Sequence, residues 1–282
     1  MPCACGVTPC CIAALRRKRS TSHTCAPSCT RLALTVFAQY YRDLTSLANK
    51  TLESKPDSAR ERGNSLSGPG SNAEETLGVR TALPALLALT SVRTLLDVPC
   101  GDFNYMRAVL SAPMTPPGIE YIGMDIVSTL VGRLQATFGT AHRQEVRTAP
   151  SSNLSTAGSH SNKRHRISFQ RFDLAQEFLW PADLVVVRDI LFHFELGRAV
   201  SVLRRVGLSG CRFALITYFP RVDNRFAARK YHPGRGFGSY ASWNLEAAPF
   251  ALPPPLLAIG KDGNRKDRVM GLWRCASLRA EV

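Results

Sequence analysis

The sequence lacks any apolar run long enough to cross a membrane. The longest apolar stretch near its beginning, residues 32–38, is far shorter than the roughly 18 residues that a membrane-spanning helix requires. Hydrophobic residues nevertheless make up 45% of the 282 positions, which is enough for one sizeable core. We therefore predict a soluble protein with one main folded domain and no membrane span.

Acidic residues are absent from the first 42 positions, which are rich in arginine, serine and threonine. This composition is typical of a transit peptide, although a disordered tail or a misassigned start codon would look the same. Residues 1–62 contribute +6 and residues 139–166 contribute +4 to the formal net charge of +15. We expect residues 1–62 to be a disordered, basic, cysteine-rich tail or a targeting segment, and residues 140–166 to be a disordered insertion. Because most of the excess charge lies in these two segments, we do not expect a nucleic-acid partner.

Paired C-x-x-C motifs are also missing, although six of the nine cysteines fall within the first 29 residues. Without such pairs the usual structural zinc site has no ligand set, so we predict no metal site. The other three cysteines, Cys100, Cys211 and Cys275, are far apart in the sequence and predict reduced thiols. This favours an intracellular location, which would be cytoplasmic, or organellar if the N-terminal segment is a transit peptide.

From residue 65 onwards, strand-like and helix-like patterns alternate. The predicted strands are residues 94–98, 119–126, 167–173, 183–189, 212–219, 256–259 and 268–274, and the predicted helices are residues 76–89, 105–111, 129–138 and 196–206. Strands that are separated by single helices predict a parallel sheet covered on both faces. The last two strands have no helix between them. The predicted fold class is therefore α/β, with a doubly wound, Rossmann-like, seven-stranded sheet that ends in an antiparallel hairpin.

A complete G-x-G-x-x-G motif is missing from the turn after the first strand. In LLDVPCGDFNYM, residues 95–106, only Gly101 is present, and Asp97 and Asp102 flank it. Two carboxylates near a pyrophosphate would repel it, so a dinucleotide fits poorly. S-adenosylmethionine has no phosphate and carries an ammonium and a sulfonium, which acids attract. Asp125 ends the second strand, where an acid can bind ribose hydroxyls, so we predict S-adenosylmethionine as the cofactor.

Several motifs in the same order resemble a bacterial-type group of class I S-adenosylmethionine-dependent methyltransferases. They are DVPCGDFNYM at residues 97–106, YIGMDIV at 121–127 and RDILFHF at 188–194, with SGPGS upstream and WNLEAAPFALPPP and GLW downstream. The resemblance covers residues 67–273 apart from the proposed insertion, and it implies a methyltransferase domain over residues 65–282. Pro99 and Phe103 replace glycines that are usual in other methyltransferases, and both match this group.

The resemblance also implies roles for individual residues. Asp97 and Gly101 would line the methionine end of the cofactor. Asp125 would hold the ribose, and Asp173 would face the adenine. The full predicted cofactor set is Asp97, Pro99, Gly101, Asp102, Asp125, Ile126, Asp173 and Arg188, and the predicted substrate set is Tyr105, Trp243 and Asn244. For Asp97, Asp125 and Asp173 the alternative is a purely structural role as a helix cap or turn residue.

The RDILFHF motif contains the predicted catalytic pair, Asp189 and His193. The motif follows the fourth core strand at its carboxyl end, where ligands bind in open α/β sheets. If a helical turn follows, the two side chains can meet because they are four positions apart. His193 would then be the general base and Asp189 would orient it. The alternative is that Asp189 is a cap and that His193 packs between Phe192 and Phe194.

We predict an enzyme that transfers a methyl group to an oxygen or nitrogen nucleophile of a small molecule or glycan. Residues 219–243 mix basic and aromatic side chains and would form either a substrate lid or an ordinary solvated loop. The first alternative function is a nucleic-acid methyltransferase, although the tetrapeptide [ND]-P-P-[YF], which would indicate base N-methylation, does not follow the fourth strand. The second alternative is a catalytically inactive cofactor-binding protein.

Overall fold

The computed structural model describes residues 67, 69–140, 165–231, 240–260 and 267–279. The tail at residues 1–62, most of the proposed insertion and residues 232–239 of the proposed lid lie outside this part of the chain. Arg166, the last residue of the predicted insertion, belongs to a strand. Within the described ranges no helix combines the length and the apolar character that crossing a bilayer requires.

The described part of the chain contains seven strands, five α-helices and three short 3-10 helices. The strands are β1 (Thr94–Asp97), β2 (Glu120–Asp125), β3 (Arg166–Arg171), β4 (Leu184–Val187), β5 (Phe213–Tyr218), β6 (Leu257–Ile259) and β7 (Val269–Arg274). The α-helices are α1 (Leu77–Leu89), α2 (Asn104–Ser111), α3 (Ser128–Phe138), α4 (Leu196–Leu208) and α5 (Asn224–Lys230). The 3-10 helices are Pro69–Ser71, Leu191–His193 and Cys275–Arg279.

All seven strands form one sheet in the order β3-β2-β1-β4-β5-β7-β6. The five strands from β3 to β5 in this order are parallel to one another, whereas β7 is antiparallel to both β5 and β6. The predicted doubly wound sheet with a closing antiparallel hairpin is therefore confirmed. The strand order reverses between β1 and β4, so the loops that follow these two strands diverge and leave room for a ligand at their carboxyl ends.

The sheet separates two apolar cores because successive strand residues point to opposite faces. Leu95 packs in one core with α1, α2 and α3, whereas Leu96 packs in the other with α4 and α5. All four residues of β4 and all six of β5 are buried, as expected for central strands covered on both faces. This construction fixes the carboxyl ends of β1, β2 and β4 side by side.

The segment after β5 contains a helix that the sequence pattern did not predict. Asp223 caps α5, since its carboxylate accepts hydrogen bonds from the backbone N–H groups of Arg225 and Phe226. With only seven residues, α5 is too short for a clear apolar periodicity. The described start of the proposed lid is therefore an ordered helix rather than a loop.

Cys211 and Cys275 form a disulfide, with their Cα atoms 5.7 Å apart, whereas Cys100 is a free, buried cysteine. The prediction of three reduced thiols is therefore wrong for two of them. The antiparallel pairing of β5 with β7 explains the contact, because Phe213 lies opposite Arg274 and the two cysteines flank this pair. The cysteines consequently give no support for a reducing compartment.

Candidate active site

Two residues of the turn that follows β1 adopt the left-handed backbone conformation. Gly101 has a φ of +53°, and a Cβ at this position would come within 2.3 Å of the Ser67 hydroxyl oxygen. Phe103 has a φ of +63°, which is unusual for a large side chain. Its ring packs in the core against Tyr121, Phe138 and Phe169, and this packing stabilises the strained backbone. A side chain at position 101 would therefore be strained, whereas the buried ring of Phe103 stabilises the second left-handed position.

The carboxylate of Asp125 joins the carboxyl end of β2 to this turn. Its Oδ2 accepts a hydrogen bond of 3.2 Å from the backbone N–H of Gly101, and its Oδ1 accepts one of 3.0 Å from Val127. Each carboxylate oxygen can accept a second hydrogen bond. The next residue, Ile126, is 49% exposed beside this carboxylate. Asp125 and Ile126 thus offer paired acceptors next to an open apolar surface.

The carboxyl group of Asp97 lies beneath the turn, not on its surface. The residue is fully buried, and its two oxygens accept hydrogen bonds of 2.9 Å from the hydroxyls of Tyr105 and Tyr121. Burial raises the pKa of Asp97 to about 7, although the two tyrosines and the positive charge of Arg188 act in the opposite direction. Asp97 therefore bonds to two tyrosines in this structure, and its contact with the methionine end of the cofactor stays a prediction.

The other two aspartates of the predicted cofactor set bond to nearby backbone. Asp102 accepts from the N–H of Asn104, and its own N–H donates to the Ser67 hydroxyl at 2.7 Å. Asp173 accepts from the N–H of Ala175 and from the Gln176 side chain, so it stabilises the turn after β3. These contacts match the structural alternative for Asp173, and its role towards adenine stays a prediction.

Arg188 holds the segment at residues 70–75 across the end of β4. The guanidinium donates to the carbonyl oxygens of Gly70 and Glu75 at 2.9 and 3.2 Å, and it lies over the Tyr105 ring at 5.3 Å. The residue is buried. Arg188 therefore fastens residues 70–75 to the end of β4, and its predicted role towards the cofactor stays a prediction.

Asp189 is part of a buried ion network. Its Oδ2 lies 2.8 Å from Nη1 of Arg268 and 3.2 Å from Nη1 of Arg188, and Arg268 also pairs with Glu75 at 2.7 Å. The Thr217 hydroxyl donates to its Oδ1 at 3.2 Å. Asp189 has a φ of +55°, a strained conformation that these contacts hold in place. The carboxylate is thus directed at two arginines, and the structure does not assign it the orienting bond to His193.

His193 ends the 3-10 helix Leu191–His193, which begins after Asp189 and does not include it. The imidazole is half-buried, 4.6 Å from the Phe192 ring and 6.5 Å from the Tyr240 ring, measured between centroids. The Tyr231 hydroxyl donates to the His193 carbonyl oxygen at 3.0 Å, which ties the end of α5 to this point. His193 therefore lies in an aromatic setting at the carboxyl side of the sheet.

The predicted substrate residues contact the protein itself. Trp243 is 1% exposed, and its indole N–H donates to the carbonyl oxygens of Leu191 and Phe194. The Asn244 side chain donates to Pro220 O and accepts from Glu246 N. Both residues anchor the chain around the 3-10 helix, a packing role that the sequence did not indicate. The Tyr105 hydroxyl is bound to Asp97.

Sequence reasoning missed several residues that build the site. They are Ser67, Glu75, Tyr121, Thr217 and Arg268. The SGPGS motif carried a signal for the first of them, because it precedes α1 at a fixed place in the ordered motifs. The others are polar side chains whose partners are distant in the sequence, so no local pattern could have identified them.

No model of a known protein family and no curated protein matches the sequence. Several solved structures with a similar course of the chain are methyltransferases. The methyltransferase domain of bacterial CtHen1 is 15% identical, with a TM-score of 0.43, and the match covers 71% of this chain and 99% of that one. The N-methyltransferase NodS from Bradyrhizobium japonicum, solved with S-adenosyl-l-homocysteine, is 14% identical over 74% of this chain and 89% of that one, with a TM-score of 0.43.

Human N-acetylserotonin methyltransferase, solved with S-adenosylmethionine, is 15% identical over 87% of this chain and 70% of that one, with a TM-score of 0.39. Similarities this distant add nothing on function. The fold class follows from the order of the sheet itself. A seven-stranded sheet in the order 3-2-1-4-5-7-6, with only β7 reversed, is the Rossmann-like fold of class I methyltransferases.

Proposed function

We propose that this chain is a class I S-adenosylmethionine-dependent methyltransferase whose catalytic domain spans residues 65–282. The acceptor would be an oxygen or nitrogen nucleophile of a small molecule or glycan. The observation that carries the proposal is the hydrogen bond between the Asp125 carboxylate and the Gly101 N–H. It places an acid at the ligand end of β2 in direct contact with the turn after β1.

This contact argues against a dinucleotide. In a dinucleotide site the N–H groups of the turn point at a pyrophosphate. Here the Gly101 N–H already donates to Asp125, and a carboxylate at this distance would repel a phosphate. A ribose avoids this conflict because its hydroxyls can donate to the second lone pair of each Asp125 oxygen. The exposed Ile126 side chain would cover one face of the adenine.

The bound cofactor would supply an electrophilic methyl group on a sulfonium, which an acceptor oxygen or nitrogen attacks. Asp125 would orient the ribose. His193 would accept the proton of the acceptor nucleophile at an imidazole nitrogen, because histidine is the side chain that most often acts as a general base. The aromatic rings of Phe192 and Tyr240 would keep water away from it. Asp189 would be a positioning residue that holds the β4 loop through Arg268.

The test is calorimetric titration of the protein with S-adenosylhomocysteine and with NAD. We expect the first to bind and the second not to bind. Asp125→Asn should weaken S-adenosylhomocysteine binding by about 1.5–3 kcal/mol, the range for hydrogen bonds to a charged group, which is about 10- to 100-fold. Asp223→Asn, at the exposed cap of α5, is the matched control and should bind normally. Tight NAD binding, or normal binding by Asp125→Asn, would refute the proposal.

A further inference from the structure

The described chain before α1 crosses the crevice between the loops that follow β1 and β4. We call this segment, residues 67 and 69–75, the strap. At its beginning the Ser67 hydroxyl accepts a hydrogen bond of 2.7 Å from the backbone N–H of Asp102, in the turn after β1. Further along, two of its carbonyl oxygens accept hydrogen bonds from Arg188, which directly follows β4. Ligands of open α/β sheets bind in this crevice, so the strap crosses the place where a ligand would enter.

Arg268 anchors the strap from the other side of the sheet. Because β7 is antiparallel to β5, its first residue, Val269, lies opposite Tyr218 at the carboxyl end of β5. The residue directly before it, Arg268, therefore starts at the ligand edge of the sheet. Its Nη1 donates to Oδ2 of Asp189 at 2.8 Å, and its Nη2 donates to Oε2 of Glu75 at 2.7 Å. The reversed strand thus ties the strap to the loop after β4.

The bond between Arg268 and Glu75 is largely shielded from water. The two side chains are 5% and 16% exposed. Breaking a buried ion pair is costly, because each charge is left without a partner where little water can replace it. The strap also lies close to the Arg268–Asp189 pair, since a Cβ on Gly70 would be 3.1 Å from Oδ2 of Asp189 and 3.5 Å from Nη1 of Arg268. The strap can leave the crevice only by breaking the bond to Arg268, which keeps such opening rare.

We propose that Arg268 is a positioning residue that holds the strap across the crevice and thereby sets how fast the cofactor enters and leaves. The inference rests on the proposed function, because it takes S-adenosylmethionine as the ligand of the crevice. Arg268 acts on the strap through Glu75, and the strap contacts the turn after β1 through Ser67. Each opening of the strap breaks the bond between Arg268 and Glu75 and releases the N–H of Asp102.

Two variants weaken this bond. Arg268→Gln removes the cation, whereas Glu75→Gln removes the charge of its partner and leaves Arg268 paired with Asp189. Arg212→Gln is the matched control. Arg212 also directly precedes a strand and pairs with an acid at 2.7 Å, but it lies at the amino end of β5, away from the crevice. If Arg268→Gln does not fold, Glu75→Gln decides the outcome.

Hydrogen exchange of the free protein, followed by NMR, measures opening of the strap without any ligand. The amide of Asp102 donates to Ser67, so it exchanges when the strap leaves the turn. Loss of a hydrogen bond between charged groups should raise the open fraction, and with it the exchange rate at Asp102, by about 10- to 100-fold in both variants. Arg212→Gln should exchange at the wild-type rate. An unchanged rate at Asp102 in the folded variants would overturn the proposal.

Surface plasmon resonance with S-adenosylhomocysteine then measures the effect on the cofactor. Association and dissociation should both be about 10-fold faster or more in the two variants, and Kd should change less than either rate, because opening precedes both entry and exit. General damage to the site cannot speed association, so faster dissociation alone would contradict the proposal. Wild-type rates in the folded variants would overturn it and leave the proposed function intact. A wild type that binds no S-adenosylhomocysteine would refute the proposed function, and this inference with it.

Discussion

Replacement of Asp97 by asparagine should remove a pH dependence from the stability of the protein. The carboxyl is fully buried between two tyrosine hydroxyls, and its pKa is raised from 3.8 to about 7. In the unfolded chain the same group ionises near its ordinary value. Between these two pKa values the folded protein keeps a proton that the unfolded chain has lost. Stability from this group is therefore complete below about pH 4 and is lost as the pH rises through about 7.

The expected change in the free energy of unfolding follows from the part of the Asp97 pKa shift that lies between about pH 5 and pH 8. One pKa unit corresponds to about 1.4 kcal/mol, and about two units lie between pH 5 and the folded pKa. The wild type should therefore lose about 2–3 kcal/mol of its free energy of unfolding relative to Asp97→Asn between about pH 5 and pH 8. Asparagine is isosteric and uncharged, and its amide can still accept from one tyrosine and donate to the other.

The assay is urea unfolding of both proteins at several pH values in that range, with the difference in free energy plotted against pH. Tyr121→Phe is the matched control for loss of one hydrogen bond without loss of the carboxyl, and it should keep a pH-dependent difference from Asp97→Asn. A free-energy difference between the wild type and Asp97→Asn that stays constant from about pH 5 to pH 8 would refute the reasoning. It would show that Asp97 is ionised throughout and that the tyrosines and Arg188 outweigh burial.

Two further substitutions test the turn and the catalytic prediction. Gly101→Ala should lower the free energy of unfolding by at least about 1–2 kcal/mol, because alanine is strained at a φ of +53° and its Cβ would meet the Ser67 hydroxyl. Gly132→Ala, in α3 with open space around it, should be neutral or slightly stabilising, and equal effects in urea unfolding would contradict this explanation. His193→Ala should keep its affinity for S-adenosylhomocysteine and lose about 100-fold or more in turnover with an acceptor found by screening. Normal turnover would exclude a base role, and joint loss of stability and cofactor binding would support the packed-histidine alternative.

The fold could be predicted because each of its main elements has a local signal. The buried runs at β1, β4 and β5 predicted central strands, and the absence of a helix between β6 and β7 predicted the antiparallel hairpin. The errors occurred where the signal is short or non-local. The helix α5 has seven residues, and the contact between Cys211 and Cys275 depends on the register of β5 with β7.

The candidate site was predictable only in part. Strand-end position located Asp125, because the acid follows a clear strand and the turn with Gly101 precedes it by 24 residues. The burial of Asp97 was not predictable, since it depends on Tyr105 and Tyr121 on two other elements. Aromatic residues such as Trp243 have the same sequence pattern whether they bind a substrate or fill a core. The indole N–H bonds of Trp243 to Leu191 and Phe194 show its packing role, and its role towards a substrate stays a prediction.

The Arg268 side chain has a consequence for the order in which the protein is completed during synthesis. It bonds to Glu75 and Asp189, and the first of these lies 193 positions earlier in the chain. A nascent chain that has reached only the end of β5 already contains the Gly101 turn and Asp125. It also contains Glu75 and Asp189, but not yet Arg268, which bonds to the carboxylates of both. Asp189 already has Arg188 beside it at this stage, whereas the Glu75 carboxylate gains its bond to Arg268 only after that residue has been made. The contact that ties Glu75 to the end of β4 through Arg268 is therefore among the last that synthesis makes possible, although Glu75 is among the first residues of the domain to be made.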